Sequence, residues 1–366
     1  MHVTASDAPD PGELRRCSRC LLPETYPQIA FDENDVCSVC RVHRPQHEEL
    51  LGEEALRRLV DLHRSRSGKY DCLTALSGGR DSTYALYYAV RKLGLKTLAF
   101  TVDQGFIPAE TWENIAQATR ILGVEHVVIK HRLSQKSLAP MLRAWVKRPS
   151  ASMVSFMCLG CRLGMRKVFL QVARQYALPL CISGAGEPEG SFATAFFSTH
   201  SSRLRRMLAL FGGIGVELLR NPRYLLHPAL PWRMVVEFLY EYPPAGFIRR
   251  LVSPRWEYVP LFRYIPYDEN EIMRVLTEEL KWQKYRYSAA AWRADCKISL
   301  LKNALYQQTL GFTKHDELIS GLIRRGLISR EAGLARLAHD NQIPEQFLDE
   351  FFAELGVRRE HRGPAG

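Results

Sequence analysis

The stretch that decides the fold reads Ser77-Gly78-Gly79-Arg80-Asp81-Ser82-Thr83. An apolar segment, residues 71–76, precedes it as a predicted β-strand, and a helical pattern covers residues 82–90. Strand, glycine-rich turn and helix in this order direct backbone N–H groups and the positive end of a helix dipole to one point. Gly78 and Gly79 lack a Cβ atom, so an anion can come close to their backbone. We therefore predict that this turn binds a phosphate group.

The turn is not an ordinary P-loop, because it lacks the Lys-Ser/Thr pair that reaches the terminal phosphates. Its carboxylate, Asp81, indicates instead a magnesium ion between protein and phosphates. The seven residues resemble the SGGxDS signature of the PP-loop ATP pyrophosphatases, which split ATP between its α- and β-phosphates. An ordinary Gly-Gly turn capped by Ser or Asp is the alternative, but the preceding strand favours phosphate binding.

Length, composition and charge limit the classes of protein. A chain of 366 residues with 46% apolar and 24% charged residues is typical of a water-soluble globular protein with more than one domain. No run approaches the roughly 18 apolar residues of a membrane span, and residues 1–16 lack the apolar core of a signal peptide. We expect a cytoplasmic protein with no transmembrane segment. The net charge of +11 fits nucleic acid, anionic lipid or a phosphorylated substrate as a partner.

Two CxxC pairs near the start predict a metal site. Cys17 and Cys20 form the first pair, and Cys37 and Cys40 the second. Two such turns can bring four thiolates together in the tetrahedral arrangement of a structural zinc ion. This site has no open coordination position, so we assign it to folding and docking.

Predicted strands alternate with predicted helices after the phosphate-binding turn. Strands are predicted at residues 96–102, 124–130 and 179–183, and helices begin near residues 108 and 162. This order predicts an α/β fold with a doubly wound parallel sheet of the PP-loop ATPase type. Ligands of such sheets bind beyond the carboxyl ends of the strands.

Two further loops should therefore meet the phosphate-binding turn. Asp103 follows the second strand and either contacts the nucleotide or caps its own turn. Gly184 and Glu187 follow the fourth strand, and we favour Glu187 as a ligand of magnesium or substrate over a solvated loop acid.

Three more cysteines have two possible roles, as ligands of an iron–sulfur cluster or as structural residues. Cys158 and Cys161 form a third CxxC, and Cys296 is the obvious third partner if the fold brings it near. Three cysteines would suit a 4Fe–4S cluster whose fourth iron binds an exchangeable ligand. The alternative is a structural CxxC turn and one buried thiol. Cys72 and Cys181 lie in apolar strands and are predicted core residues.

The remaining sequence divides into an arginine-rich stretch and a helical end. Residues 200–255 carry nine arginines and three glutamates. This composition fits three alternatives: a segment that lies on a membrane surface, a surface that binds a nucleic-acid backbone, or a packed insertion with arginines at its rim. Helices are predicted at residues 268–280, 296–310, 315–325, 329–339 and 345–355.

The predicted regions are a zinc-binding module (1–48), the PP-loop nucleotide-binding domain (49–199), the basic, apolar insertion (200–258), the C-terminal helical region (259–357) and a disordered tail (358–366).

Most of the chain resembles one family of PP-loop enzymes. Residues 16–40, with both CxxC pairs, are similar to the N-terminal signature of the N-acetyl sugar amidotransferases. The similarity continues through residues 77–82, 114–123, 158–161 and 186–187, and resumes at residues 310–323 and 328–332. The family acts in surface-polysaccharide and nonulosonic-acid pathways.

The resemblance implies an ATP-dependent amidotransferase or ligase that forms AMP and pyrophosphate. ATP would bind at Ser77, Gly78, Gly79, Asp81, Ser82, Asp103 and Gly184, with Asp81, Ser82 and Glu187 as catalytic residues and magnesium near Asp81. The acceptor would be an N-acetyl or nucleotide-linked sugar, and a separate glutaminase subunit would supply the ammonia.

The sequence differs from the pattern of the N-acetyl sugar amidotransferases in two places, and these differences leave other functions possible. Residues 200–255 look like an insertion, and the sequence around Cys296 is closer to the third-cysteine pattern of PP-loop sulfur transferases. The nearest alternative is therefore an ATP-dependent sulfurtransferase that acts on tRNA or a small molecule and carries a three-cysteine iron–sulfur cluster. A non-catalytic zinc-finger adaptor that binds nucleic acid is a different class, and it predicts no ATP turnover.

Overall fold

A computed structural model describes residues 14–43, 50–65, 68–130, 132–150, 168–169, 171–184, 212–213, 215–226 and 257–359. Several predictions fall outside these ranges: Cys158, Cys161, Glu187, most of the arginine-rich stretch 200–255 and residues 360–366 of the predicted tail.

The centre of the protein is a five-stranded parallel sheet. Its strands are β1 (Cys72–Ala75), β2 (Thr97–Asp103), β3 (Glu125–Lys130), β4 (Leu180–Ser183) and β5 (Glu257–Pro260), in the order β3-β2-β1-β4-β5. Every neighbouring pair is parallel. Leu73 of the central strand β1 pairs with Leu98 on one side and with Cys181 on the other. The predicted parallel α/β sheet is confirmed.

Apolar layers cover both faces of the sheet. Cys72 of β1 and Ile182 of β4 pack into the layer that α2 (Glu53–His63), α3 (Arg80–Tyr87) and α4 (Ala109–Leu122) contribute to. Leu73 and Cys181 point to the opposite layer, with Val172 and Phe169, because successive strand residues alternate between faces. The sheet is therefore doubly wound. Cys72 and Cys181 are buried core residues, and burial raises the pKa of both thiols.

The helices largely follow the predicted pattern. α1 spans Ser38–Val42, α3 continues into a π-helical turn at Tyr88–Lys92, and α4 ends at Gly123, whose φ of 67° is left-handed. Helix α5 (Arg132–Lys147) was not expected from the sequence, since Pro140 lies in its interior. Short 3-10 helices occur at Pro222–Leu226 and Leu261–Arg263.

The C-terminal region is helical, as predicted. Its helices are α6 (Glu269–Arg274, followed by a π-helical turn at Val275–Glu279), α7 (Lys297–Leu310), α8 (Lys314–Arg324), α9 (Arg330–Asp340) and α10 (Glu345–Glu354). The side chains of Asp268 and Ser329 cap α6 and α9, and Thr313 forms a capping box with Asp316 on α8. Helices α5, α7 and α10 share a separate apolar core.

Strand β5 is the sheet element that the sequence did not predict. It lies at one edge, and its residues pair with β4 from Leu180–Glu257 to Ser183–Pro260. The predicted boundary between residues 258 and 259 falls inside this strand. The sheet therefore takes its fifth strand from beyond the arginine-rich stretch.

Candidate functional site

The Ser77–Ser82 turn, which we call the phosphate-binding turn after its predicted ligand, is a closed loop of side-chain and backbone hydrogen bonds. The backbone N–H of Ser77 donates to Ser82 Oγ (3.1 Å), and the two serine hydroxyls are 2.9 Å apart. The Gly79 N–H donates to Ser77 Oγ (3.3 Å), and Ser82 Oγ donates to the Gly79 carbonyl (3.1 Å). The turn joins the carboxyl end of β1 to the first residues of α3. Ser77, Gly78, Gly79 and Ser82 are thus brought together where the dipole of α3 favours an anion.

Two glycines allow other elements to close on this turn. A Cβ atom on Gly78, whose φ is 78°, would lie 2.6 Å from Thr111 Cγ2 of α4. A Cβ atom on Gly184 would lie 2.1 Å from the carbonyl oxygen of Asp81. Only glycine therefore permits the loop after β4 to approach the backbone of the turn this closely. The indole N–H of Trp282 also donates to the Gly78 carbonyl (2.9 Å) and fixes the turn from the C-terminal side.

Asp81 is held by its neighbour Arg80 on α3 and by Tyr267 in the loop before α6. Arg80 Nε and the Tyr267 hydroxyl each donate to Asp81 Oδ1, both at 2.9 Å. Arg80 is buried and also donates to Glu269 and to the Tyr267 hydroxyl. Burial and the neighbouring Asp81 carboxylate raise the pKa of Tyr267, so its phenol remains a donor. Burial alone would raise the pKa of Glu269, but the bonds from Arg336 and Arg80 lower it overall.

The turn after β2 lies beside the segment that carries Cys296. Gly105 N–H donates to Asp103 Oδ1 (2.8 Å), so Asp103 caps its own turn, and its contact with a nucleotide stays a prediction. Gln104 Nε2 is 3.9 Å from Cys296 Sγ, and the Lys297 N–H donates to the Phe106 carbonyl (3.0 Å).

Asp295 joins this segment to the phosphate-binding turn. A Cβ atom on Gly79 would lie 2.9 Å from Asp295 Cγ, so the Asp295 carboxyl lies against the turn. The fold therefore brings Cys296 to the carboxyl edge of the sheet, and its proximity to Cys158 and Cys161 stays a prediction. Cys158, Cys161 and Glu187 lie outside the described residues.

A small cavity opens beside Cys296. Its volume is about 10 Å³, and its lining includes Ser288, Trp292, Asn303 and His315. This is close to the volume that one water molecule needs. Burial lowers the pKa of His315, which favours the neutral imidazole.

Sequence reasoning missed the side chains that hold the turn from the C-terminal region. Tyr267, Glu269, Trp282 and Asp295 lie about 190 to 220 residues after the turn along the chain, and only Asp295 adjoins a residue that the sequence had singled out, Cys296. The acidic start of α6 was a weak signal, because such residues usually only cap a helix.

The four N-terminal cysteines form a separate, buried cluster. The Sγ atoms of Cys17, Cys20, Cys37 and Cys40 all lie within 4.8 Å of one another. Cys17 Sγ is 3.9 Å from Cys40 Sγ, and Cys20 Sγ is 3.7 Å from Cys37 Sγ. A tetrahedral zinc site with Zn–S bonds of about 2.3 Å has sulfur–sulfur edges of about 3.8 Å. The donor set therefore fits a tetrahedral metal ion such as zinc.

Polar groups around the cluster favour the thiolate form that a metal needs. Backbone N–H groups of Cys20 and Cys37 donate to Cys17 Sγ at 3.4 and 3.3 Å, and Arg324 donates to Cys20 Sγ at 3.3 Å. When no cation is bound, Cys37 and Cys40 each form a hydrogen bond with the Cys20 sulfur. These bonds raise the pKa of both thiols, so a metal ion is needed to bring all four cysteines to the thiolate form.

The cysteine module docks on α8 and α9. Arg16 donates to the fully buried Asp316 (2.6 Å), and the Tyr26 hydroxyl donates to Glu317 (3.1 Å). Leu21, on the first cysteine turn, packs with Ile319 and Leu337. The stretches that carried the resemblance at the two ends of the chain thus meet in the fold.

The comparisons with known proteins give distant matches. No family model matches the chain. Among curated proteins, an uncharacterized protein of Methanocaldococcus jannaschii is 25% identical over 339 residues, covering 92% of this chain and 97% of that protein. Within the described ranges, no helix is long and apolar enough to cross a membrane.

Two solved structures match the chain at low similarity. The U34-tRNA thiolase NcsA from Methanococcus maripaludis, with its 4Fe–4S cluster, covers 89% of each chain at 16% identity and a TM-score of 0.35. The NMN synthetase from Francisella tularensis covers 42% of this chain and 69% of its own, at 17% identity and a TM-score of 0.27. At these values the matches carry no activity over to this chain, so function has to be argued from the site itself.

Proposed function

We propose that the protein is an ATP-dependent transferase of the PP-loop type that forms AMP and pyrophosphate. One observation carries the proposal: the Ser77–Ser82 turn follows the central strand β1, whose neighbours β2 and β4 lie on opposite sides. This is the topological switch point of the sheet, where ligands of doubly wound folds bind. Gly184 and Asp295 close on the turn from β4 and from the C-terminal region.

The residues of the turn have distinct roles in this proposal. Backbone N–H groups and hydroxyls of Ser77, Gly78, Gly79 and Ser82 hold the phosphates, and Asp81 holds magnesium, which would neutralise phosphate charge. A carbonyl oxygen of the acceptor attacks the α-phosphate, and the bond to the β-phosphate breaks to release pyrophosphate. A nucleophile then adds to the activated carbon, and AMP leaves with the oxygen. The protein contributes positioning and charge stabilisation, with Glu187, Asp103 and Gly184 as further ligands.

Ammonia is the first candidate for that nucleophile. The resemblance to the N-acetyl sugar amidotransferases supports a sugar acceptor, either N-acetylated or linked to a nucleotide, in surface-polysaccharide biosynthesis. The ammonia would come from a glutaminase partner subunit. Zinc in the four-cysteine cluster would serve folding, since four thiolates leave no position for a substrate.

Sulfide is the second candidate, and the position of Cys296 favours it. Cys296 is only partly buried and lies beside Gln104 at the carboxyl edge of the sheet, and the preceding residue, Asp295, lies against the phosphate-binding turn. With Cys158 and Cys161 it would hold an iron–sulfur cluster, whose chemistry is to present sulfur to the activated acceptor. A tRNA acceptor would then account for the basic charge.

One activity screen tests the shared proposal and separates the candidates. The protein, purified without oxygen, is supplied with ATP and magnesium, with ammonia or sulfide, and with nucleotide-linked sugars or tRNA. We expect release of AMP and pyrophosphate that Asp81→Ala abolishes. Absence of release with every acceptor would reject the proposal and favour the non-catalytic adaptor.

Substitution of Cys296 supplies the second part of this experiment. If sulfur is transferred, the protein contains iron and labile sulfide, and Cys296→Ala removes both activity and iron. If nitrogen is transferred, the protein contains zinc alone, and Cys296→Ala keeps ammonia-dependent turnover. Cys72→Ala, which removes a buried thiol of β1, is the control for loss of a cysteine elsewhere.

A further inference from the structure

The carboxylate of Asp81 is bound asymmetrically by two donors. Arg80 Nε and the Tyr267 hydroxyl both donate to Oδ1, each at 2.9 Å. Oδ2 accepts no hydrogen bond from the residues that the structure describes, and the side chain retains 28% of its exposure. One oxygen is therefore fixed by the protein, and the other is left for a further partner.

The donors belong to a larger charged cluster. Arg80 also binds Glu269, and Arg336 on α9 donates to both oxygens of Glu269 at 2.9 Å and to Asp340 at 3.1 Å. With Asp81 the cluster holds three carboxylates and two guanidinium groups, and the exposed His339 contacts Asp340 on its outer side. When His339 is neutral, one negative charge is left over. Arg80 is divided between two carboxylates, so it leaves the charge of Asp81 only partly balanced.

We propose that Tyr267 and Arg80 are positioning residues for Asp81. They hold Oδ1 so that the carboxylate offers its other oxygen to the divalent cation that accompanies the nucleotide, and Glu269 with Arg336 keeps Arg80 from neutralising Asp81 fully. The inference rests on the proposed nucleotide site and adds residues from the C-terminal region to it. A purely structural cluster would tie α6 and α9 to the turn, but it would not influence the binding of a cation.

The test measures cation binding and does not require turnover. Binding of Mn²⁺ to the full-length protein is followed by electron paramagnetic resonance in the presence of α,β-methylene-ATP, for the wild type, Tyr267→Phe and Tyr87→Phe. Tyr87 is the matched control, because its hydroxyl also donates to a carboxylate, that of Glu279 (3.3 Å), away from Asp81. The Phe variants keep both rings and remove only the hydroxyl groups.

Tyr267→Phe should weaken Mn²⁺ binding about tenfold, since hydrogen bonds to charged groups are among the stronger ones in proteins. Tyr87→Phe should bind Mn²⁺ like the wild type. Binding of the analogue in EDTA should be the same for all three proteins, because the turn itself is intact. If Tyr267→Phe does not fold, Glu269→Gln replaces it, and it should weaken Mn²⁺ binding because Arg80 then pairs fully with Asp81.

The outcomes separate this inference from the proposed function. If the wild type binds neither the analogue nor Mn²⁺, the nucleotide site is wrong and this inference fails with it. If the wild type binds both and Tyr267→Phe or Glu269→Gln binds Mn²⁺ equally well, only the positioning role is overturned. Equal loss of Mn²⁺ and of metal-free analogue binding would also overturn it, since the cluster would then merely support the turn.

Discussion

At the scale of single residues, the absence of a side chain matters as much as its presence. Gly184 lies where the loop after β4 meets the backbone of Asp81, and a Cβ atom there would lie 2.1 Å from a carbonyl oxygen. Backbone atoms cannot move aside as a flexible side chain can. The packing of β4 against the phosphate-binding turn therefore depends on this glycine.

Gly184→Ala should lower the free energy of unfolding by about 1–3 kcal/mol, because the added methyl overpacks the turn. It should also weaken nucleotide binding, since the backbone around Asp81 has to shift. Gly321→Ala is the control: that glycine lies inside α8, its Cβ atom would have only an ordinary contact at 3.8 Å, and alanine should be neutral or stabilising. Chemical denaturation and titration with an ATP analogue measure both effects. Equal stability of the two variants would contradict the close approach at Gly184.

At the scale of helices and strands, the sequence predicted the elements that have a strong local pattern. The buried strands β1 and β4 are short apolar runs, and Ser329 is an N-cap that the sequence shows directly. Helix α5 was missed because Pro140 normally ends a helix, and here tertiary packing of Leu138, Leu142 and Trp145 overrides that preference. Strand β5 was missed because it has only four residues and one of them is Pro260, which argues against a strand, and only pairing with β4 makes them one.

The contact between the cysteine module and α8 makes a second prediction at this scale. Arg16 is 17% exposed and pairs with Asp316, which is fully buried. Arg16→Met should cost about 3 kcal/mol in the free energy of unfolding, because a buried carboxylate loses its charged partner. The next residue is the control: Arg15 pairs with Asp35 at the surface, and Arg15→Met should cost less than about 1 kcal/mol.

Chemical denaturation of both methionine variants measures this difference. The hydrogen bonds from the Thr313 N–H and from Asn341 to Asp316 remain in Arg16→Met, so the helix cap itself should persist. If both variants lose equally little stability, the docking of the module does not depend on the buried pair.

At the scale of the whole molecule, one helix lies between the cysteine cluster and the phosphate-binding turn. Helix α9 contacts the cysteine module through Leu337, which packs on Leu21, and through Arg330, which donates to the Cys17 carbonyl (3.5 Å). Through Arg336 the same helix reaches Glu269, which in turn binds Arg80. None of these contacts follows from local sequence, because each joins residues that are 67 or more positions apart along the chain. The sequence predicted the two sites separately, and the fold connects the segments that carry them through helix α9.

Removal of the metal from the four-cysteine cluster should therefore loosen α8 and α9. Four buried thiols within 4.8 Å of one another cannot all ionise without a cation, so the module loses its fold and with it the packing of Leu21 on α8 and α9. We expect about one zinc per chain by mass spectrometry, and faster backbone hydrogen exchange at residues 314–340 after chelation, with β1 and β2 unchanged. Added zinc should restore the protection. Unchanged exchange in α8 and α9 after complete loss of metal would show that these helices are stable without the module.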